Sequence, residues 1–140
     1  MNNVNLGLLL ARVGLGVMFV LHGVPKLAGG PEQWEAVGQS GLPFLSEGAI
    51  SVAAGLLAAL TETLGGLLLA LGLFFPWVPA AMCGVMIVAF TTKLGTISGV
   101  MDFAYKAGWP LEMAIIFAAL AITGPGTYAM RLKKGTGKSE

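Results

Sequence analysis

Thirty consecutive residues, TLGGLLLALGLFFPWVPAAMCGVMIVAFTT (Thr63–Thr92), carry no charged side chain. A helical bilayer crossing takes about 20 mostly apolar residues, so this run is too long for one untilted span. FFPWVP (Phe74–Pro79) divides it. Pro76 and Pro79 lack the N–H that a continuing helix would use, so a tight hairpin between two crossings is the economical reading. The two crossings cover about residues 48–74 and 77–97. Two further apolar stretches flank them, about residues 5–27 and 107–124. The first is not a secretory signal by pattern: no Lys or Arg precedes it, and Arg12 interrupts it. The expected fold is therefore an all-α membrane protein, a bundle of four transmembrane helices. Its transmembrane domain covers residues 1–128, and residues 129–140 form a basic tail.

Composition supports this class. The 140 residues are 56% hydrophobic and 11% charged, with a mean hydropathy of +0.82 and 21 glycines. Soluble domains carry roughly 25% charged residues, and glycine is frequent in membrane helices. A net charge of +1 offers no basic surface for nucleic acid. Cys83 is the single cysteine, which excludes any thiol–disulfide mechanism needing two cysteines of this chain.

Lys and Arg near the span ends set orientation. Arg131, Lys133, Lys134 and Lys138 place the tail in the cytoplasm, and four crossings return the N-terminus to the same side. The first loop, with Glu32, Glu35 and Glu47 and no Lys or Arg, then lies outside, as does the mixed loop bearing Asp102 and Lys106. Trp34 and Trp109 fall at the outer boundary and Trp77 at the inner one, where amphipathic rings belong. PEQWEAVGQ (Pro31–Gln39) reads as a short helix along the outer surface, with Pro at a first helical position.

The informative residues are the polar ones inside the spans. An ionised group at the bilayer centre costs roughly 2.5–3.5 kcal/mol on insertion scales, so it faces protein, water or a partner. Arg12, Gly16, Phe19, Gly23 and Lys26 recur at spacings of four and three, with His22 beside them, which makes one charged, glycine-bearing face. On the second span Glu62 has Ala58, Ala59, Gly65 and Gly66 at i±3 and i±4, a small face that points it into the bundle. Arg12 and Glu62 are expected to form a structural ion pair. At about 1.5 Å per residue, His22, Lys26, Glu62, Lys93 and Glu112 converge on the outer half of the bundle. That convergence is the candidate site. Pro25 removes the bond to the Leu21 carbonyl, opening a kink beside His22. Plainer roles stand beside these: Lys26, Lys93 and Glu112 can reach the interface by extension, and His22 and Cys83 can be packing residues. Small faces such as Ala80/Gly84 and Ala114/Ala118 suit close packing within a protomer or between protomers of a homo-oligomer.

With these residues assembled, the chain resembles the DoxX family of small four-span bacterial membrane proteins. The resemblance rests on Arg12 followed by HGVPKL (His22–Leu27) and on ETLGGLLLALGL (Glu62–Leu73), with the hairpin prolines and the charged ends of the last two spans; it covers about residues 5–125. It implies a multi-pass protein of the cell's inner (plasma) membrane. Members resemble a subunit of thiosulfate:quinone oxidoreductase or are linked to membrane complexes that handle thiols and oxidative stress. The implied cofactor is a quinone and the implied partner a soluble or membrane redox protein, alongside the lipid bilayer. The chain has no nucleotide-binding glycine fingerprint, no cysteine cluster for iron–sulfur ligation, too few histidines for bis-histidine haem, and no metal-site spacing. Electrons would pass directly between substrate and quinone, or through the partner. Lys26 and Lys93 would bind the headgroup or a small anionic or thiol-related substrate, while His22, Glu62 and Glu112 exchange protons. Two other functions compete: a non-catalytic membrane module that binds lipid or scaffolds a redox partner, and a small-solute or proton transporter.

Overall fold

The computed structural model describes residues 3–130; the expected tail residues Arg131, Lys133, Lys134 and Lys138 lie outside them. The described residues form helices and turns. Helix α1 spans Asn3–Ala28, α2 Gly30–Gly41, α3 Ala49–Leu71 and α4 Trp77–Leu94. A short turn α5 (Val100–Asp102) leads through a π-helical segment, Phe103–Gly108, into α6 (Trp109–Thr123). Four helical stretches are long and apolar enough to cross a bilayer: Asn3–Ala28, Ala49–Leu71, Trp77–Leu94 and Val100–Thr123. The fourth starts earlier than the expected residue 107. Its π-helical turn sits just before Pro110, whose ring would clash with the carbonyl four residues back in a regular α-helix.

The hairpin falls where the prolines put it. Gly72 ends α3 in the left-handed region (φ 75°), with Leu73 N–H on the Leu68 carbonyl and Gly72 N–H on the Leu69 carbonyl, a Schellman ending. The Phe75–Pro76 peptide bond is cis.

Glycines let α1 and α3 pack backbone to backbone in antiparallel register. A Cβ on Gly66 would stand 2.7 Å from the Gly16 carbonyl oxygen and 2.9 Å from the Val20 nitrogen, so no larger side chain fits at this spacing. The buried residues of α1 are Arg12, Gly16, Phe19 and Gly23, the face that helical spacing selects. Phe19 meets Phe117 of α6 edge to face, with ring centroids 4.8 Å apart, over a core of Leu69, Met82, Met86, Ala114 and Leu120. The outward positions are aliphatic: Leu10, Val17, Leu21, Leu57, Leu64, Ile87, Ile115 and Ile122 are all exposed. An apolar exterior around a core with small and charged groups suits hydrocarbon surroundings, and the chain is a multi-pass membrane protein. Of the small faces, Ala114 is buried inside the bundle, whereas Ala80 and Gly84 are exposed.

PEQWEAVGQ is helical, within α2, but it does not lie flat on a surface. It stacks lengthwise on the first half of α3: a Cβ on Gly38 would collide with Ser51, and one on Gly55 with the Trp34 carbonyl. Consequently α1 ends beside the middle of α3, and α2 continues along the remainder. This arrangement sets the level of every polar group on α1.

Candidate functional site

Lys26 lies in the last turn of α1, and Glu62 lies near the middle of α3. The register just described brings them together. Lys26 Nζ donates to both carboxylate oxygens of Glu62, at 2.7 Å to Oε1 and 2.6 Å to Oε2. Glu62 is buried, at 5% exposure, while the Lys26 side chain keeps a third of its surface. A carboxylate removed from water needs strong compensation, and a bidentate ammonium contact provides it.

The expected Arg12–Glu62 pair does not form. Arg12 is buried, but its Nη1 donates to the Ala70 carbonyl at 2.9 Å and its Nη2 to the Tyr128 carbonyl at 2.5 Å. Ala70 lies about 12 Å along α3 from Glu62. Carbonyls in the last turn of a helix have no intrahelical partner, and a guanidinium there satisfies them and complements the helix dipole. Gly72 makes room for it, since a Cβ there would collide with Nη1. The Arg12 Nε has no hydrogen-bond partner among the described residues. The segment after α6 closes this end, with the Thr127 N–H on Asn5 Oδ1 and the Met130 N–H on the Leu71 carbonyl.

Two cavities flank the Lys26–Glu62 pair and share it as a wall, together with Met86 and Trp109. One, about 290 Å³, is apolar and lined also by Leu15, Met18, Phe19, His22 and Met113. The other, about 400 Å³, is more polar and includes Gln33, Ser40, Thr92 and Lys93. His22 is exposed on α1, and its Nδ1 lies 2.7 Å from the Met18 carbonyl. A carbonyl only accepts, so Nδ1 carries the proton and Nε2 is left for a ligand. Helix α1 runs unbroken through Pro25, and its last carbonyls, those of Lys26 and Leu27, accept from the Trp34 indole N–H at 3.0 and 3.2 Å.

Of the five groups expected to converge, His22, Lys26 and Glu62 line one chamber, and Lys93 lines the adjoining one. Glu112 does not join them. It is exposed and lines neither cavity, because α6 buries Pro110, Ala114 and Phe117, and a residue two positions after Pro110 faces the opposite way. Trp109 walls both cavities, and Trp34 caps α1 through its indole N–H. The donor-only indole was the available signal for this.

A family model, DoxX, matches residues 7–94, more than half of the chain and the part that holds Arg12, His22, Lys26, Glu62 and Lys93. No curated protein and no solved structure matches it.

Proposed function

This chain belongs to the DoxX family, and from that membership and the position of one ion pair we propose that it is the membrane subunit of a quinone-linked oxidoreductase. The observation that carries the reading is the Lys26–Glu62 pair standing as the common wall of an apolar and a polar cavity. A quinone has a flat ring with two carbonyl oxygens and an apolar tail. The chamber beside His22 offers Phe19 and Trp109 as aromatic walls, Met18 and Met113 as adaptable apolar contacts, and a charged edge.

Reduction of a quinone to a quinol takes up two electrons and two protons. The electrons come from a reductant of the thiol class, two RSH giving RSSR, or from a redox partner. The two protons released by the thiols balance the two taken up. Within this chain, Lys26 donates two N–H groups to Glu62 and retains a third for a quinone oxygen. His22, held by its Nδ1–H, presents Nε2 for proton exchange at the edge of the chamber. Arg12 takes no part, and Glu112 is too far around α6 to serve the chamber. The tail lysines and arginine favour cytoplasmic termini and the inner membrane.

Extraction of quinone from the purified full-length chain tests this. The expected result is quinone retained by the wild type and lost in His22→Ala and in Glu62→Gln, with the fold intact by circular dichroism. Bound lipid without quinone in the wild type overturns it and leaves a lipid-binding or scaffolding module.

A further inference from the structure

Beside the polar cavity, and sharing Ser40, Thr92, Lys93 and Trp109 with it, is a vestibule of about 490 Å³ completed by Thr96, Tyr105 and Lys106. Its hydrogen-bonding groups are unbalanced. Thr92 and Thr96 spend their hydroxyl protons on the Ala89 and Lys93 carbonyls, both at 2.8 Å. Lys106 is neutralised by Asp102 at 2.9 Å and also reaches the Thr96 carbonyl at 3.1 Å. Four donors remain without an acceptor among the described residues: Lys93 Nζ, the Trp109 indole N–H, and the Ser40 and Tyr105 hydroxyls. Among the described residues no Asp or Glu lines the vestibule, so Lys93 gives this set one uncompensated positive charge. Lysine and tryptophan side chains only donate, so an acceptor-rich, negatively charged group complements this set better than a neutral one.

On its other side the polar cavity shares Val37, Ala58, Val85 and Val88 with an apolar cleft of about 190 Å³ that also includes Leu42, Ala54 and Leu57. The donor-rich vestibule and this cleft thus adjoin one and the same cavity, and Leu57 of the cleft is exposed on the apolar exterior. A free oxyanion would use only the first of them.

We propose that the vestibule, the polar cavity and the cleft form a second site for an anionic phospholipid, adjoining the His22 chamber across the Lys26–Glu62 pair and Trp109, with its phosphate on Lys93 and the Trp109 indole N–H and an acyl chain in the Ala54–Leu57–Val85 cleft. Lys93 and Ala54 contribute little to the core, so the site can be altered in a folded bundle.

Native mass spectrometry of the full-length chain with equal amounts of phosphatidylglycerol and phosphatidylcholine of matched chains tests this. The wild type is expected to favour phosphatidylglycerol by about tenfold, because both lipids offer the phosphate but the choline cation of phosphatidylcholine is repelled by the uncompensated Lys93 charge. Lys93→Gln is expected to abolish the preference, and Ala54→Leu, which fills the cleft, to weaken retention of phosphatidylglycerol. Equal retention of both lipids by the wild type, or an undiminished preference in Lys93→Gln, overturns the site. Inorganic phosphate that displaces the lipid equally well from wild type and Ala54→Leu overturns the acyl-chain half. Quinone content is read separately, so neither result decides the His22 chamber.

Discussion

Gly23 of α1 lies directly against Thr63 of α3, the neighbour of Glu62, so closely that a Cβ on Gly23 would collide with the Thr63 side chain and stand 2.6 Å from its backbone nitrogen. Thr63 cannot retreat, because its hydroxyl is bonded to the Ala59 carbonyl at 2.8 Å. This contact sets the register that brings Lys26 onto Glu62 one turn further along α1. Gly23→Val should lower unfolding stability in detergent by about 1–3 kcal/mol through overpacking, and also reduce retained quinone, since separating the helices pulls the ion pair apart. Stability loss with full quinone retention would show that the register does not govern the chamber.

The ion pair and the buried arginine are energetically separate. Glu62→Ala strands the Lys26 ammonium, and Lys26→Met strands a buried carboxylate. A double-mutant cycle on these two should give a coupling of about 1–3 kcal/mol, at the lower end for a buried pair because Lys26 keeps some solvent contact. Glu62→Ala combined with Arg12→Leu should instead be additive within about 0.5 kcal/mol, as suits groups about 12 Å apart along α3. Unfolding in denaturant-containing micelles measures both.

Arg12→Leu alone leaves the Ala70 and Tyr128 carbonyls without their donor and should cost about 2–3 kcal/mol. Arg12→Lys should not restore this, because an ammonium lacks the planar fork that reaches two carbonyls at once. Quinone content should be unaffected in both variants when they are assayed below their melting temperatures.

Trp34→Phe keeps an aromatic ring, though a smaller one, and removes the N–H that serves the Lys26 and Leu27 carbonyls. The expected loss is about 1 kcal/mol, with faster amide hydrogen exchange confined to the α1–α2 junction. Unchanged exchange there would mean that the indole does not hold the junction.

The proposed cytoplasmic placement of the termini predicts that a cysteine placed at Glu47 in a Cys83→Ala background reacts in intact cells with a membrane-impermeant maleimide, and one at Thr127 only after lysis. The reverse pattern inverts the orientation.

Helical periodicity made much of this legible in advance. Arg12, Gly16, Phe19 and Gly23 stand out on α1 because they are the charged and small exceptions on a helix otherwise coated with Leu and Val, and those exceptions are buried. The small face around Glu62 announced its inward direction in the same way. Helix α6 offers no such contrast: Leu, Met, Ile, Phe and Ala surround it, so its pattern could not say that Glu112 faces away from the chamber.

Composition, the charge-free run and its prolines determined by themselves that the chain crosses a bilayer four times and which faces of α1 and α3 are inward, since span length and the 3.6-residue repeat are properties of each segment alone. Which charges meet was decided only by the tertiary structure. A buried ammonium can satisfy any carboxylate it can reach, and reach depends on how far one helix slides along another. Here α2 occupies half the length of α3, so α1 ends at Glu62, Lys26 takes the carboxylate, and Arg12 is carried to the unsatisfied carbonyls at the far end.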